Sequence, residues 1–351
     1  MLSRFIARTL DWLIAIVVVC AVLWFLITQP LLLPVKAVND PPQVNQSNLQ
    51  NHVTNLIHIN TSRELASEAL SADNYIFNYF SRLGKPSQQG YTTMGGRHTN
   101  VRLRLGPRTS ERVVIGVQYL PPTDSTRKYW NPSGVAAFLE AARLLSAIDQ
   151  ELPISVEFVA YASAGVAANG TLEMGSYHHA KLLRDANIPV KLMISLKSVG
   201  YFTEKENSQR YPFSFMNMLY PDQGNFIALS SRFQDFTTTR SVKGSFASIL
   251  GLPVESFSAP ENFPLVTGSD HVNYWLNDYP AVQVSDMLSL RVSDGYMPES
   301  VVLNYAQVAR VVLALAKSVT DLGGGAETEN EPTGESDYFS VLKGRISDFF
   351  E

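Results

Sequence analysis

An uncharged apolar run near the N-terminus constrains this chain more than any other feature. Trp12–Leu33 contains no Asp, Glu, Lys or Arg and is dominated by Leu, Val, Ile and Ala. Roughly 20 such residues span the hydrocarbon core of a bilayer as one helix. Arg4 and Arg8 precede the run, and positive charge favours the cytoplasmic side. The sequence therefore predicts a cytoplasmic N-terminus at 1–11, a single transmembrane anchor at 12–33 and an extracytoplasmic main domain.

A cleaved signal peptide and a lipoprotein signal are the alternatives to an anchor. The run is longer than the roughly 7–15 apolar residues of a signal core, and no Ala-x-Ala-like cleavage site follows it. The residues before Cys20 are valines, whereas a lipoprotein signal usually has a small residue there. These features favour an uncleaved anchor, most simply in a bacterial inner membrane with the main domain in the periplasm.

The remainder of the chain divides by composition. Residues 34–56 are rich in Pro, Asn and Gln and predict a spacer. Strands and helices alternate over 57–322, which predicts an α/β sandwich around a largely parallel sheet. The acidic, glycine-containing stretch 323–336 predicts a flexible linker. Residues 337–351 carry apolar side chains at a spacing of three and four, which predicts a short amphipathic helix.

Three local predictions within this domain concern short apolar segments. A helix is predicted to begin at Asn60–Glu64 and to end near Gly84. Phe213–Leu219 is predicted as a strand, and Phe226–Phe236 as a helix.

Charge and cysteine content exclude several functions. The formal net charge is −4, and no run of Lys and Arg forms a basic face, so nucleic acid is not an expected partner. The only cysteine, Cys20, lies in the apolar run. The main domain therefore has no disulfide and no thiolate that could act as nucleophile or metal ligand.

Five short motifs follow one another in the main domain. They are Val113–Tyr119, Asn131-Pro132-Ser133-Gly134, Phe158–Ala162, Met174–Ala180 and Gly268-Ser269-Asp270-His271. In this order they resemble the co-catalytic zinc aminopeptidase family of peptidase clan MH, which also contains glutaminyl cyclases and transferrin receptor-like proteins. The resemblance covers about residues 52–320. It implies a three-layer α/β sandwich whose mostly parallel, mixed sheet has helices on both faces.

The resemblance also implies where the metal ligands should be. Family members hold two zinc ions about 3.5–4 Å apart, which polarise a carbonyl and activate a bridging water. Carboxylate and imidazole groups are the ligands. The family's ligand positions fall here on Gln118, Trp130, Gly165, Lys197 and Tyr296, and its general base falls on Ala164. The chain is therefore identified as a degenerate member in which neither the ligands nor the base remain.

These replacements oppose the family's chemistry. A charge of +1 on Lys197 and a charge of +2 at about 4 Å repel by roughly 8 kcal/mol at an effective dielectric of 20. Trp130 has no ligand atom. Ala164 cannot accept a proton, so the rate gain of about 10²–10⁴ that a general base supplies is absent at that position.

The residues that do match the family allow two interpretations. Ser269, Asp270 and His271 could form a residual binding pocket, or they could be a helix start followed by a buried, hydrogen-bonded His. We favour the second interpretation. A relocated metal site is a third interpretation, for which the candidates are Asp286, Asp294, Glu299 and His271.

The sequence thus predicts a membrane-anchored, aminopeptidase-like pseudoenzyme that serves as a binding or scaffold module. Its expected partners are the membrane, through 12–33, and a protein or peptide; no cofactor is expected. One alternative is an active membrane-bound zinc peptidase with relocated ligands, which would require zinc. The other is a structural subunit of an active paralogue.

Overall fold

A computed structural model describes residues 2–61, 71–94, 96–119, 131–162, 172–291 and 302–324, together with Arg345. The strands are β1 (Ser87–Thr93), β2 (Gly96–Leu105), β3 (Arg112–Gln118), β4 (Ser155–Tyr161), β5 (Val190–Leu196), β6 (Ile227–Arg232), β7 (Val254–Ala259) and β8 (Ala281–Ser285). The helices are α1 (Leu2–Thr28), α2 (Gln46–Thr61), α3 (Ala72–Phe80), α4 (Pro132–Ser146), α5 (Gly175–Asp185), α6 (Phe236–Ala247), α7 (Asp270–Trp275) and α8 (Tyr305–Gly324).

The eight strands form one mixed sheet in the order β1-β2-β4-β3-β5-β8-β6-β7. Its centre is parallel, because β3 pairs in parallel with β4 and β5, and β5 pairs in parallel with β8. Strands β6 and β7 are parallel to each other but antiparallel to β8. The predicted α/β class with a mostly parallel, mixed sheet is confirmed.

Helices cover both faces of the sheet. The larger core lies on the face that carries α2, α4, α6 and α8, and the smaller core lies on the face that carries α5 and α7. Every residue of β4 is buried, and β3 is buried up to its last residue. Central strands of a parallel sheet are covered on both sides, which explains why their sequences are almost continuously apolar.

The predicted spacer at 34–56 is wrong for its second half. Helix α2 begins at Gln46, and its Leu49, Val53 and Leu56 are buried in the larger core. Their spacing of four and three residues places them on one helix face. The abundant polar residues between them obscured this pattern in the sequence.

The helix predicted from Asn60–Glu64 to Gly84 is also wrong at its start. Helix α2 ends at Thr61, and a separate helix, α3, begins at Ala72. Residues 62–70, between the two, lie outside the described part of the chain.

Two further local predictions are wrong. Phe213–Leu219 contains a short 3₁₀ helix at Ser214–Met218 rather than a strand. The segment predicted as a helix at Phe226–Phe236 contains β6, which is buried at every position. A strand that is buried on both faces shows no alternation, so periodicity alone does not distinguish it from a helix.

The predicted C-terminal linker begins later than expected. Gly323 and Gly324 still belong to α8. The rest of the linker lies outside the described residues, as does the predicted helix at 337–351 except for Arg345. The guanidinium Nη2 of Arg345 lies 3.0 Å from Oε1 of Glu151 on the main domain.

Helix α1 contains the predicted anchor. Arg8–Thr28 is 21 residues long and has a mean hydropathy of 2.7, and its residues from Arg8 to Trp24 are exposed. By length and composition this helix could cross a membrane. The helix ends at Thr28 rather than Leu33. The next residue, Gln29, precedes a proline and has φ of 45°, which is incompatible with a continuing helix.

The C-terminal end of α1 is part of the folded domain. The Thr28 carbonyl accepts hydrogen bonds from Lys243 Nζ at 3.0 Å and from Ser256 Oγ at 2.6 Å. Gln29 Nε2 donates to Ser258 Oγ at 2.5 Å. Thr28 and Gln29 are both buried. The ammonium of Lys243 stabilises this helix end, because the last carbonyls of a helix lack partners within the helix and carry partial negative charge.

The buried carboxylate of Glu157 connects three strands of the sheet. Glu157 on β4 accepts hydrogen bonds from Arg102 on β2 through Oε1 and from Arg112 on β3 through Oε2, the latter at 2.7 Å. His179 Nε2 lies 3.5 Å from Glu157 Oε1. Burial opposes ionisation of Glu157, but His179 and the two arginines together hold its pKa below the usual value. The carboxylate is therefore charged at neutral pH.

We expect Glu157→Gln to be strongly destabilising. The substitution leaves two guanidinium groups near a neutral amide, and breaking a buried ion pair on one side costs about 3–5 kcal/mol of unfolding free energy. Chemical unfolding of the full chain in detergent measures the loss. Asp185→Asn is the matched control, because Lys181 and Asp185 form an exposed pair at 2.7 Å and little loss is expected there. Equal losses for the two variants would contradict the importance assigned to Glu157.

Candidate functional site

The candidate site lies where β3, β4, β5 and β8 end. Ligands of open parallel sheets bind outside the carboxyl ends of the strands. Gln118 is the last residue of β3 and is paired with Tyr161, the last residue of β4. Val117 is paired with Leu196, so Lys197 follows directly beside Gln118 at the same end of the sheet. Two of the predicted positions are thus brought together.

Asn131 fastens the first turn of α4 to β5. Its Oδ1 accepts from Gly134 N at 2.9 Å, and its Nδ2 donates to Leu196 O at 2.9 Å. A Cβ atom on Gly134 would lie 2.1 Å from Asn131 Oδ1 and 2.5 Å from Lys197 O. The motif that resembles the family's helix start therefore has a structural role here, since both of its side-chain hydrogen bonds hold backbone.

Asp286 is a candidate for a relocated metal site, but both of its carboxylate oxygens accept hydrogen bonds within the protein. Its Oδ1 accepts from Ser198 Oγ at 2.9 Å and from Leu288 N at 3.0 Å. Its Oδ2 accepts from the backbone N–H groups of Gly200 and Tyr201, both at 2.9 Å. A carboxylate has about four acceptor positions, and these four bonds occupy them. Asp286 therefore holds the segment after β5 in place.

Lys197 is half-buried beside Gln118. Burial lowers the pKa of its ammonium, and the negative charges of Asp270 and Asp286 oppose that effect. The site thus combines an amine that is easier to deprotonate than usual with nearby carboxylates. Perturbed ionisable groups of this kind are a recognised feature of functional sites.

Ser269, Asp270 and His271 form the start of α7. All three are buried, and Ser269 Oγ lies 3.4 Å from Ser195 Oγ. His271 Nε2 donates to the Val266 carbonyl at 2.7 Å. This arrangement agrees with the interpretation of a helix start followed by a hydrogen-bonded, buried His.

Burial controls the protonation of the Asp270–His271 pair. It raises the pKa of Asp270 to about 6, although a hydrogen bond from Ser176 and the charge of Lys197 oppose the rise. Burial also lowers the pKa of His271 to about 4, against the effect of its bond to Val266. Within the described part of the chain, Asp270 Oδ1 and His271 Nδ1 have no hydrogen-bond partner.

The other predicted positions fall outside the described residues. They are Trp130, Ala164, Gly165 and Tyr296, together with the relocated-site candidates Asp294 and Glu299. Among the residues that are described, no three or more His, Cys, Asp or Glu side chains are grouped so that they could hold a metal ion. An amide at Gln118 and an ammonium at Lys197 do not fit a zinc ion, which needs neutral imidazole or anionic ligands.

A row of buried polar side chains behind the site was missed in the sequence. Tyr161 OH lies 2.7 Å from Tyr274 OH, which lies 2.6 Å from Nδ1 of His179. His179 in turn approaches Glu157. Burial, together with the charge of Asp270, raises the pKa of both tyrosines, so both stay neutral. The available signal was one acidic residue, Glu157, inside an otherwise apolar strand.

Gly116 makes room for this row. A Cβ atom there would lie 2.4 Å from the Tyr161 ring. Glycine is therefore required on β3 where the Tyr161 ring crosses it.

Comparison with known proteins places the chain in a family. No protein-family model matches it. A relative from Escherichia coli (strain K12), "Uncharacterized protein YfbL", is 35% identical over 277 residues, which are 74% of this chain and 82% of the relative. The chain belongs to the YfbL family. Because the aligned region covers most of both chains, this YfbL relative shares the main domain with the present protein.

Solved structures show which fold this YfbL-family chain has. The Legionella pneumophila LapA aminopeptidase matches with a TM-score of 0.57 and 15% identity, covering 85% of this chain and 80% of that one. LapB from the same organism matches with a TM-score of 0.57 and 18% identity, covering 80% of this chain and 73% of LapB. A Zn-dependent exopeptidase from Parabacteroides distasonis matches with a TM-score of 0.51 and 15% identity, covering 81% of this chain and 99% of the exopeptidase. At these identities the likeness concerns the fold, and the predicted zinc-aminopeptidase fold is confirmed.

The pair Asp270 and His271 has opposite effects on stability as pH changes. Unfolded Asp has a pKa of about 3.9 and unfolded His about 6.5. The raised pKa of Asp270 stabilises the fold below about pH 4, and this contribution is lost as pH rises towards 6. The lowered pKa of His271 stabilises the fold above about pH 6.5, and this contribution is lost as pH falls towards 4. The two effects largely cancel between about pH 4 and 6.

Single variants should therefore reveal the hidden pH dependence. Relative to the unmodified protein, Asp270→Asn should lose stability as pH falls from 6.5 to 4, by up to about 3 kcal/mol. His271→Gln should gain stability over the same fall, by a similar amount. Urea unfolding at a series of pH values measures both slopes. If both variants keep the slope of the unmodified protein, the two groups are not buried in the way described.

Proposed function

We propose that this YfbL-family chain is a membrane-anchored, aminopeptidase-like pseudoenzyme. In this proposal, the candidate site at the carboxyl ends of β3, β4, β5 and β8 binds a protein or peptide and performs no zinc-dependent hydrolysis. The single observation that carries the proposal is the place of Lys197, which follows β5 directly beside Gln118. The resemblance to the co-catalytic aminopeptidases assigns an acidic metal ligand to this place.

Charge supports a ligand other than a metal ion. The ammonium of Lys197 repels a divalent cation, whereas it attracts the carboxylates and carbonyls of a peptide. The neighbouring Asp270 has a pKa of about 6 and is therefore mostly ionised at neutral pH. The negative charge of Asp270 opposes the lowering of the Lys197 pKa by burial, which favours the ammonium form of Lys197.

The rival proposal of a relocated zinc site loses its best candidates. Asp286 uses its acceptor positions on Ser198, Leu288, Gly200 and Tyr201. His271 uses Nε2 on the Val266 carbonyl, so only Nδ1 is left for a metal. A zinc ion would have to displace hydrogen bonds that hold the site's own backbone, which would cost stability.

The end of α1 supports an anchor that stays attached. Thr28 and Gln29 are buried against β7 and α6, so removal of α1 as a signal peptide would strip groups from the folded domain. In this proposal the N-terminus is cytoplasmic, and the main domain lies outside the cytoplasm, in a bacterial periplasm.

Zinc content and peptidase activity test the loss of catalysis. We expect full-length protein, purified in detergent and equilibrated with zinc, to keep less than one zinc ion per chain after dialysis. It should also leave aminoacyl-nitroanilides uncleaved. Stoichiometric zinc together with cleavage that a chelator abolishes would overturn the pseudoenzyme proposal and favour an active peptidase.

A charge reversal tests whether the candidate site is the binding site. Lys197→Glu should greatly reduce the capture of membrane and periplasmic partners, because it reverses the charge beside Gln118. Lys205→Glu makes the same change at an exposed position and should leave capture intact. Quantitative mass spectrometry of cross-linked partners measures both, with thermal melts to verify folding. Equal capture by the two folded variants would exclude the candidate site as the binding site.

A further inference from the structure

We infer that the bilayer faces the end of the sheet at which β6 and β7 finish, so that the candidate site lies at the end that faces the aqueous phase. This inference rests on the proposed anchor. It adds the orientation of the domain and the direction from which a partner reaches the candidate site.

The contacts of α1 give the direction in which it leaves the domain. The ring of Phe25 lies 5.7 Å from that of Phe236, the first residue of α6. One turn later, the Thr28 carbonyl is bound by Lys243, seven residues further along α6. Seven helical residues correspond to about 10 Å. Going backwards along α1 therefore leads towards the start of α6 and then beyond it.

The preceding part of α1 has left the domain. Leu10, Trp12 and Val17 are 55%, 72% and 67% exposed, whereas Phe25 is half-buried. A helix that ran back along the sheet would bury such side chains. The apolar segment before Phe25 therefore projects past the first residue of α6.

The start of α6 marks one end of the sheet. Phe236 follows β6 after only three intervening residues. Strand β6 is antiparallel to β8, so β8 begins at the end where β6 finishes. A hydrogen bond of 3.1 Å from Ala281 N to Asp235 Oδ2 joins these two points directly. The membrane-spanning segment therefore leaves the domain at the end where β8 starts.

The candidate site lies at the opposite end. Strand β5 is parallel to β8, and Lys197 follows its last residue. A strand of seven residues is about 23 Å long. Lys197 and Gln118 are therefore separated from the α1 exit by roughly the height of the sheet, and a water-soluble peptide or protein loop is the kind of partner that fits this orientation.

Two leucines of equal exposure report on the two ends. Leu276 follows α7 shortly before β8 begins, and Leu172 precedes α5, whose first residue Gly175 donates to Ala162 O after β4. Both leucines are 58% exposed. They form a matched pair, because they differ in the end of the sheet at which they lie and not in residue type or exposure.

A single-cysteine experiment tests the orientation. Because Cys20 is the only cysteine, Cys20→Ser gives a cysteine-free background. Leu276→Cys and Leu172→Cys in the full chain, labelled with a fluorophore and reconstituted in lipid nanodiscs, report proximity to acceptor-labelled lipid headgroups by energy transfer. We expect transfer from position 276 to be several-fold more efficient than from position 172. Met94→Cys, 97% exposed after β1, should behave like position 172.

Equal transfer, or stronger transfer from position 172, would overturn the orientation. The anchor itself is tested separately by flotation of the unmodified chain with vesicles in high salt. Failure to float would defeat the proposed anchor. Flotation combined with equal transfer would defeat the orientation alone.

Discussion

The negative charge of Glu157 is the point on which the middle of this structure depends. A carboxylate inside the sheet is tolerated because two guanidinium groups and an imidazole surround it. Its partners come from β2, β3 and α5, so one side chain fixes the relative positions of elements that are distant in sequence. Hydrogen bonds through His179, Tyr274 and Tyr161 extend this network to α7, the helix that begins at Asp270. The geometry of the candidate site is therefore supported from the protein interior by these polar contacts.

The ends of the strands are held by hydrogen bonds within the chain. Asn131 links α4 to β5, and Asp286 binds the backbone that follows β5. Both side chains carry groups that can bind ligands, but here they form hydrogen bonds with the chain itself. The proposed pseudoenzyme would keep its fold through such bonds, since fold and function are separable.

Sequence patterns identified the central strands of the sheet correctly but were wrong for several other elements. Continuous apolar runs identified β3, β4 and β5, because strands covered on both faces leave little freedom in composition. The same lack of alternation led to the wrong prediction at β6, because a continuous apolar run also fits a buried helix. Helix α2 escaped notice because three core leucines and valines are scattered among Asn and Gln. Lys197 and Gln118, which the resemblance singled out, lie at one end of the sheet. It could not reveal the task of Asp286, since that depends on backbone groups brought together only by folding.

Strand β7 lies at the edge of the sheet, and the final turn of α1 packs along it. An uncovered edge strand offers a row of unpaired backbone groups to any other strand. The final turn of α1 thus lies where it hinders such pairing. A shortened, soluble version that starts after residue 30 would expose that edge, and two copies could join there strand to strand. A useful truncation would retain Phe25 to Pro30 and remove only the apolar residues before them.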